Sequence, residues 1–417
     1  MRNINTFKTA TLLFVILLSS SAKAQSIDSL DIKIGQMILI GFAGTAVDSA
    51  VLREIQKGKV GSIIIFEKNI PKTNSFVALK KINWTYQKAA AIPLLISIDQ
   101  EGGKVNRLKD KYGFPKSITA FEMGKNASLD SVRFYSEATA STLAGLGINV
   151  NFAPDVDLIA NPDNPVIVKH GRAFSANEDT VIMMAKEVIK KHREMNVITA
   201  LKHFPGHGSS KADTHLGIAD VTNTWSEREL KPYQALIDSG YADAVMTSHI
   251  VNMNLDKSGK PGTLSFDILT GMLRNKLHFN GVIFTDDMQM HAITEHYGLE
   301  EAIKLAINGG VDIMTFSNNI QGSDVRTVDR VHEIIKKMVA DGVIKKARID
   351  ESFKRIMKLK SRLTNPIDYQ QQYEKAAQEV QSLKAMQQKQ LEMAEKMYKE
   401  ALEQSGKKKK SKKKKKS

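Results

Sequence analysis

Eight short, nearly continuous apolar runs recur along the chain, at 37–42, 61–66, 93–98, 148–152, 197–201, 244–248, 282–285 and 311–316. Such runs, rich in β-branched residues, predict strands buried on both faces, as in a parallel sheet. Between them, apolar residues return at helical spacing over 49–56, 131–146, 179–195, 227–239, 269–277 and 299–308. Eight strand-then-helix units within roughly 300 residues predict an α/β fold, a single (β/α)8 barrel of the TIM type. An open doubly wound sheet is the alternative, but it rarely needs eight units and usually shows a Gly-rich turn after its first strand.

The last barrel helix is expected to end near 357–359, with Asn365-Pro366 as the break. Beyond it Tyr369, Tyr373, Ala376, Val380, Leu383, Met386, Ala394 and Met397 recur amid Gln, Glu and Lys. That spacing predicts an amphipathic extension over 365–405, lying on its own barrel or pairing with a partner. From 406 onward the composition predicts disorder. At the other end, Arg2 and Lys8 precede an apolar run at 10–18, a Ser-rich patch and Ala22-Lys23-Ala24. This reads as a secretory leader over 1–24, cut before Gln25, which places the barrel at 25–364 and makes the protein periplasmic or extracellular. An uncleaved anchor is the competing reading, but the run is short for a span of roughly 20 apolar residues.

Composition changes this picture in two places. There is no cysteine among 417 residues, so an exported chain must stand on its core without disulfides. The net charge of +15 is concentrated at the ends: nine lysines lie at 407–410 and 412–416, and the leader carries Arg2, Lys8 and Lys23 without acids. The body is near neutral, so no nucleic-acid surface is implied. The lysine run is a solvated tail that can contact anionic envelope polymers by charge alone.

Candidate chemistry collects where barrel active sites are built, after the strands. The third run is followed by Asp99-Gln100-Glu101-Gly102-Gly103 and then Arg107; the fourth by Asp155 and Asp157, with Arg172 in the loop beyond. The fifth leads into Lys202-His203-Phe204-Pro205-Gly206-His207-Gly208 and Asp213-Thr214-His215; His249 ends the sixth, and Asp286-Asp287 ends the seventh. Metal hydrolysis would want His-x-His after the first strand, where Gly41-Phe42-Ala43-Gly44 stands instead. Schiff-base chemistry at Lys202 is disfavoured by nearby acids that keep it charged. Carbohydrate chemistry wants one group to attack, another to protonate, and charged side chains to grip hydroxyls. An Asp two residues before a His can fix its tautomer and raise its basicity.

The segments around Asp99, Lys202-His203, Asp213-Thr214-His215 and Phe284-Thr285-Asp286-Asp287 resemble the motifs of glycoside hydrolase family 3, over about 30–360. More narrowly, they resemble its single-barrel β-N-acetylglucosaminidases. The resemblance implies a retaining exo-enzyme that removes terminal β-linked GlcNAc from cell-wall or chitin-type oligosaccharides, without metal or organic cofactor. It implies Asp286 as nucleophile, His215 as acid/base and Asp213 as its partner. Asp99, Arg107, Arg172, Lys202 and His203 become the sugar-binding set. Asp287 reads as a wall or helix-start contact, His207 as a loop brace, and Asp155 with Asp157 as a supporting pair. His249 stays open between a pocket residue and an ordinary end-of-strand histidine. Lys104 and Thr214 depart from the usual Arg and Ser without touching an assigned role. A family 3 β-glucosidase, a GlcNAc phosphorylase and a non-catalytic glycan-binding barrel remain as alternatives.

Overall fold

The computed structural model describes residues 29–125, 129–322 and 324–363, together with 381–382, 385–389, 391–393 and 396. Eight strands close a parallel barrel: β1 (Ile38–Gly41), β2 (Ser62–Ile65), β3 (Leu95–Ile98), β4 (Val150–Asn151), β5 (Ile198–Phe204), β6 (Ala244–Thr247), β7 (Val282–Asp287) and β8 (Ile313–Phe316). Closure comes from β1 against β8, with Ile38 opposite Met314 and Ile40 opposite Phe316. All eight predicted runs are strands of this barrel. Their side chains are buried almost throughout because helices cover the outer face and the strands fill the lumen. Phe152 and Phe284 meet edge to face across the barrel at 5.2 Å between ring centroids and pack its centre.

Two strands depart from regular pairing. Leu201 is opposite Val245 but Phe204 is opposite Thr247, so β5 carries one extra residue around Lys202-His203. Phe284 is opposite Ile313 but Asp287 is opposite Thr315, so β7 carries one extra residue around Thr285-Asp286. Bulges of this kind re-aim side chains. Both fall near the C-terminal ends of their strands.

The predicted helices form at Ser49–Gln56, Leu129–Gly145, Glu178–Glu194, Lys231–Asp238, Asp267–Lys276 and Leu299–Gly309. Asp48 caps the first of these by accepting from the N–H groups of Ala50 (2.8 Å) and Val51 (3.2 Å). Helices Leu30–Gln36, Ser75–Ala89, Val328–Ala340 and Lys346–Lys360 add to the outer layer. The described residues between 381 and 396 are helical and exposed. The leader, Asn365-Pro366 and the lysine run lie outside the described residues. A short parallel pair, Ala219–Asp220 with Ile250–Val251, was not foreseen from the pattern.

At the end of the barrel opposite the site, Lys360 is buried with neutral acceptors on its ammonium: the Gln36 side-chain carbonyl at 2.6 Å and the Gly61 carbonyl at 2.8 Å. Burial pushes its pKa down to about 7. The folded chain therefore binds fewer protons than the unfolded chain between about pH 7 and 10.5, and stability rises with pH across that window. Below pH 7 the full cost of burying the cation is present. The melting temperature of Lys360→Met relative to wild type should be highest near pH 6 and decline steadily towards pH 10. A difference independent of pH would contradict this account.

Candidate active site

The charged side chains that follow β3, β4 and β5 are locked into one lattice. Asn151 accepts from the Gln100 N–H at 3.0 Å and donates to its carbonyl at 3.1 Å, while the Gln100 side-chain carbonyl accepts from the Arg107 and Leu108 N–H groups. These bonds fold the 99–108 segment back on itself, so Arg107 reaches Asp99 at 3.4 Å. Lys202 donates to Asp99 at 2.9 Å and lies 2.6 Å from Glu101. Arg172 grips Glu101 with two bonds of 2.9 and 2.8 Å. Burial alone would lower the Lys202 pKa, but Asp99 and Glu101 outweigh it and the net shift is upward. The ammonium is held charged, which suits a hydroxyl grip and disfavours an amine nucleophile. Glu101 is itself buried, yet Arg172 and Lys202 hold its carboxyl well below the usual range.

His203 joins this lattice through a fixed tautomer. Its Nε2 lies 2.9 Å from an Arg172 nitrogen, which can only donate, so Nδ1 carries the proton and donates to Asp157 at 2.8 Å. Asp157 also accepts the His207 N–H at 2.8 Å, and its carboxyl is held near 2 against the opposing effect of burial. Asp155 is the contrasting member of the pair: burial and the charge of Asp157 push its pKa well up. Among the described residues, Asp155, Asp157 and His203 have metal-ligand spacing, within 4.8 Å of one another. His203 and Asp157 are already committed to each other by a hydrogen bond, and Asp155 Oδ2, which has no hydrogen-bond partner among the described residues, faces Arg172 at 3.5 Å. A cation there would have to displace the Nδ1 proton and sit beside a guanidinium.

The loop beyond β5 is tied down at its start. Gly206 has φ +118°, and a side chain there would strike Glu229. At Gly208 an added Cβ would come within 2.0 Å of the Leu158 carbonyl. Glu229 accepts the Gly208 N–H at 2.8 Å, and Trp225 donates to the Pro205 carbonyl at 3.1 Å. His207 is buried and neutral, its pKa lowered by burial to about 4, which fits the expected bracing role. Further along, Asp213 accepts from both the backbone N–H of His215 (2.8 Å) and its Nδ1 (2.7 Å). This bond raises the His215 pKa against partial burial, helped by the charge of Asp286. Asp213 in turn is held below its ordinary value: His215 overcomes the effect of burial. About half of the His215 side chain is exposed, as a group that must meet a substrate requires.

Asp286 stands at the end of β7. Burial would raise its pKa, but His249, His203 and His215 bring it down to about 2, so it is an anion through the physiological range. Its neighbour Asp287 also lines the cavity, but its carboxylate is already occupied. It accepts from the Ser317 hydroxyl and from the Ser317 and Gln289 N–H groups, and burial raises its pKa to about 6. Asp286, His215, Asp99, Arg107, Arg172, Lys202 and His203 all line one cavity of about 590 Å³. Of the predicted catalytic and sugar-binding set, only Asp213 is not a lining residue; it reaches the cavity through its bond to His215. His249 is not among the lining residues; it is buried and bonded to the Asp287 carbonyl at 2.9 Å. Sequence reasoning missed Glu101, which joins Lys202 to Arg172, and Glu229, which holds the loop base. Glu101 was visible two residues after Asp99; Glu229, on the surface helical turn Glu227–Leu230, gave no signal.

The barrel thus gathers an anionic aspartate, an Asp–His pair and a lattice of buried charges around one cavity. The profile of the glycosyl hydrolase family 3 N terminal domain matches residues 29–359, and the chain belongs to that family. Within it, the similarity is to β-hexosaminidases. The chain is 31% identical to "Beta-hexosaminidase A" of Pseudoalteromonas piscicida over 330 residues, 74% of this chain and 54% of that protein. It is 31% identical to "Beta-hexosaminidase" of Tolumonas auensis over 289 residues, 69% of this chain and 84% of that protein. Thus the match spans about half of the first relative and most of the second. Among solved structures, a family 3 β-N-acetylglucosaminidase from Paenibacillus sp. strain FPU-7 is similar with a TM-score of 0.73 at 32% identity, covering 80% of this chain and 62% of that one.

Proposed function

We propose that this chain is a retaining exo-β-N-acetylhexosaminidase that releases terminal β-linked GlcNAc, with cell-wall fragments as the natural source. The observation that carries the reading is the shared cavity: an Asp286 anion and a His215 whose proton affinity is raised by Asp213 face the same space. Asp286 attacks the anomeric carbon as the glycosidic C–O bond breaks, and His215, as imidazolium, gives its proton to the departing oxygen. The neutral imidazole then takes a proton from water, whose oxygen attacks the same carbon and frees Asp286 as carboxylate. Asp99, Arg107, Arg172, Lys202 and His203 hold the sugar against the cavity floor.

Release of p-nitrophenol from the GlcNAc glycoside, with little from the glucose glycoside and no dependence on added phosphate, is the expected result. Preference for glucose would point to a β-glucosidase, and a requirement for phosphate to a phosphorylase. No release from either sugar would leave a glycan-binding barrel. The leader at 1–24 supports export, and the mature protein recovered outside the cytoplasm is expected to begin at Gln25. An intact Met1 on the exported form would refute cleavage.

A further inference from the structure

The hydrogen-bonding ladder between β6 and β7 ends at Met246 opposite Phe284. Beyond that point the bulged end of β7, which carries Asp286, has no strand partner on the β6 side. Side chains take over there. The Asp286 N–H faces the Thr247 hydroxyl at 3.4 Å, and the Asp287 carbonyl faces His249 Nε2 at 2.9 Å. We propose that His249 is a positioning residue for the nucleophile, acting with Thr263 and Thr247 as a relay that clamps the backbone on both sides of the Asp286 carboxylate. This rests on the reading of Asp286 as nucleophile.

The donors and acceptors fix the direction of the relay. A carbonyl only accepts, so Nε2 of His249 carries a proton. The ring is buried, and burial lowers its pKa, which leaves Nδ1 bare. Nδ1 lies 2.7 Å from the Thr263 hydroxyl, whose hydrogen also has the Ser248 carbonyl within reach at 3.0 Å; a bare Nδ1 at the shorter distance takes it. With its one hydrogen turned to His249, Thr263 accepts from Thr247 at 2.6 Å. The Thr247 lone pairs are then free for the Asp286 N–H. Each hydroxyl donates once, and the chain runs from the Asp287 carbonyl round to the Asp286 amide without a gap. A nucleophile on a strand end with no ladder partner needs such support, since a small misplacement of the attacking oxygen is costly.

The test uses the full-length enzyme and the GlcNAc glycoside. His249→Ala should lower kcat about 10- to 100-fold with KM within about threefold of wild type. His249→Gln, whose amide can donate to the carbonyl and accept from Thr263, should recover much of that loss. Thr263→Val, which removes only the hydroxyl, should also lower kcat. The double variant His249→Ala/Thr263→Val should be no slower than His249→Ala alone, because the relay acts as one unit. A kcat within threefold of wild type in His249→Ala, a loss confined to KM, or losses that multiply in the double variant would overturn the proposal. If His249→Ala does not fold, an unchanged kcat in Thr263→Val does the same. Failure of the underlying reading shows separately, as undiminished turnover in Asp286→Asn.

Discussion

Asp286→Asn is expected to lower kcat on a terminal N-acetylglucosaminide by roughly 10⁴-fold or more, the scale seen when a covalent nucleophile is removed. The amide is nearly isosteric, so the cavity and the charge lattice beneath it should survive and KM should move little. What disappears is an oxygen anion whose pKa lies at about 2 in spite of burial. The loss is therefore chemical, and circular dichroism and melting temperature should be close to wild type. A stricter check uses Asp286→Ala with azide, which can enter the vacated space and attack from the same side. The expected product is a glycosyl azide of α configuration. Residual activity of Asp286→Asn near wild type would remove this carboxylate from the mechanism.

His215→Ala should have the second largest effect, and its size should depend on the leaving group. General acid assistance contributes about 10²- to 10⁴-fold. A chitin-type disaccharide needs that proton, whereas p-nitrophenolate departs readily without it. The loss of glycosylation rate should therefore be large for the disaccharide and small for the aryl glycoside. The pH profile gives the independent sign. His215 works as imidazolium, and Asp213 raises its pKa above the ordinary 6.5. Activity should thus fall as pH rises through that raised value. Asp213→Asn removes the cause, so the alkaline limb of kcat/KM should move to lower pH, while an acid limb governed by Asp286 stays in place. An unmoved alkaline limb would detach Asp213 from the proton transfer.

The barrel was legible because its strands are apolar on both faces, and eight such runs leave few alternatives. Helix Ser75–Ala89 was harder to see, since its buried face includes Ser75 and Asn83, the latter donating to the Leu146 carbonyl. The site residues were legible as motifs, but their grouping was not. Glu101 pairs with Arg172, 71 positions away, and no periodicity reports such a contact. The bulges in β5 and β7 leave no trace in hydropathy, yet they lie where Lys202-His203 and Asp286 are carried. His249 was undecidable from sequence because its role depends on Thr263 and on a carbonyl from another strand.

The Asp213–His215 bond spans only two residues, and Asp213 accepts from both the amide and the ring of His215. The proton carrier and the group that sets its affinity are thus one self-contained cassette. The bond that contributes most to its raised basicity therefore depends on no other segment of the chain. The same economy makes it transplantable: a barrel with a suitable nucleophile could acquire an acid/base by accepting a single short insertion, with no matching change on any other strand.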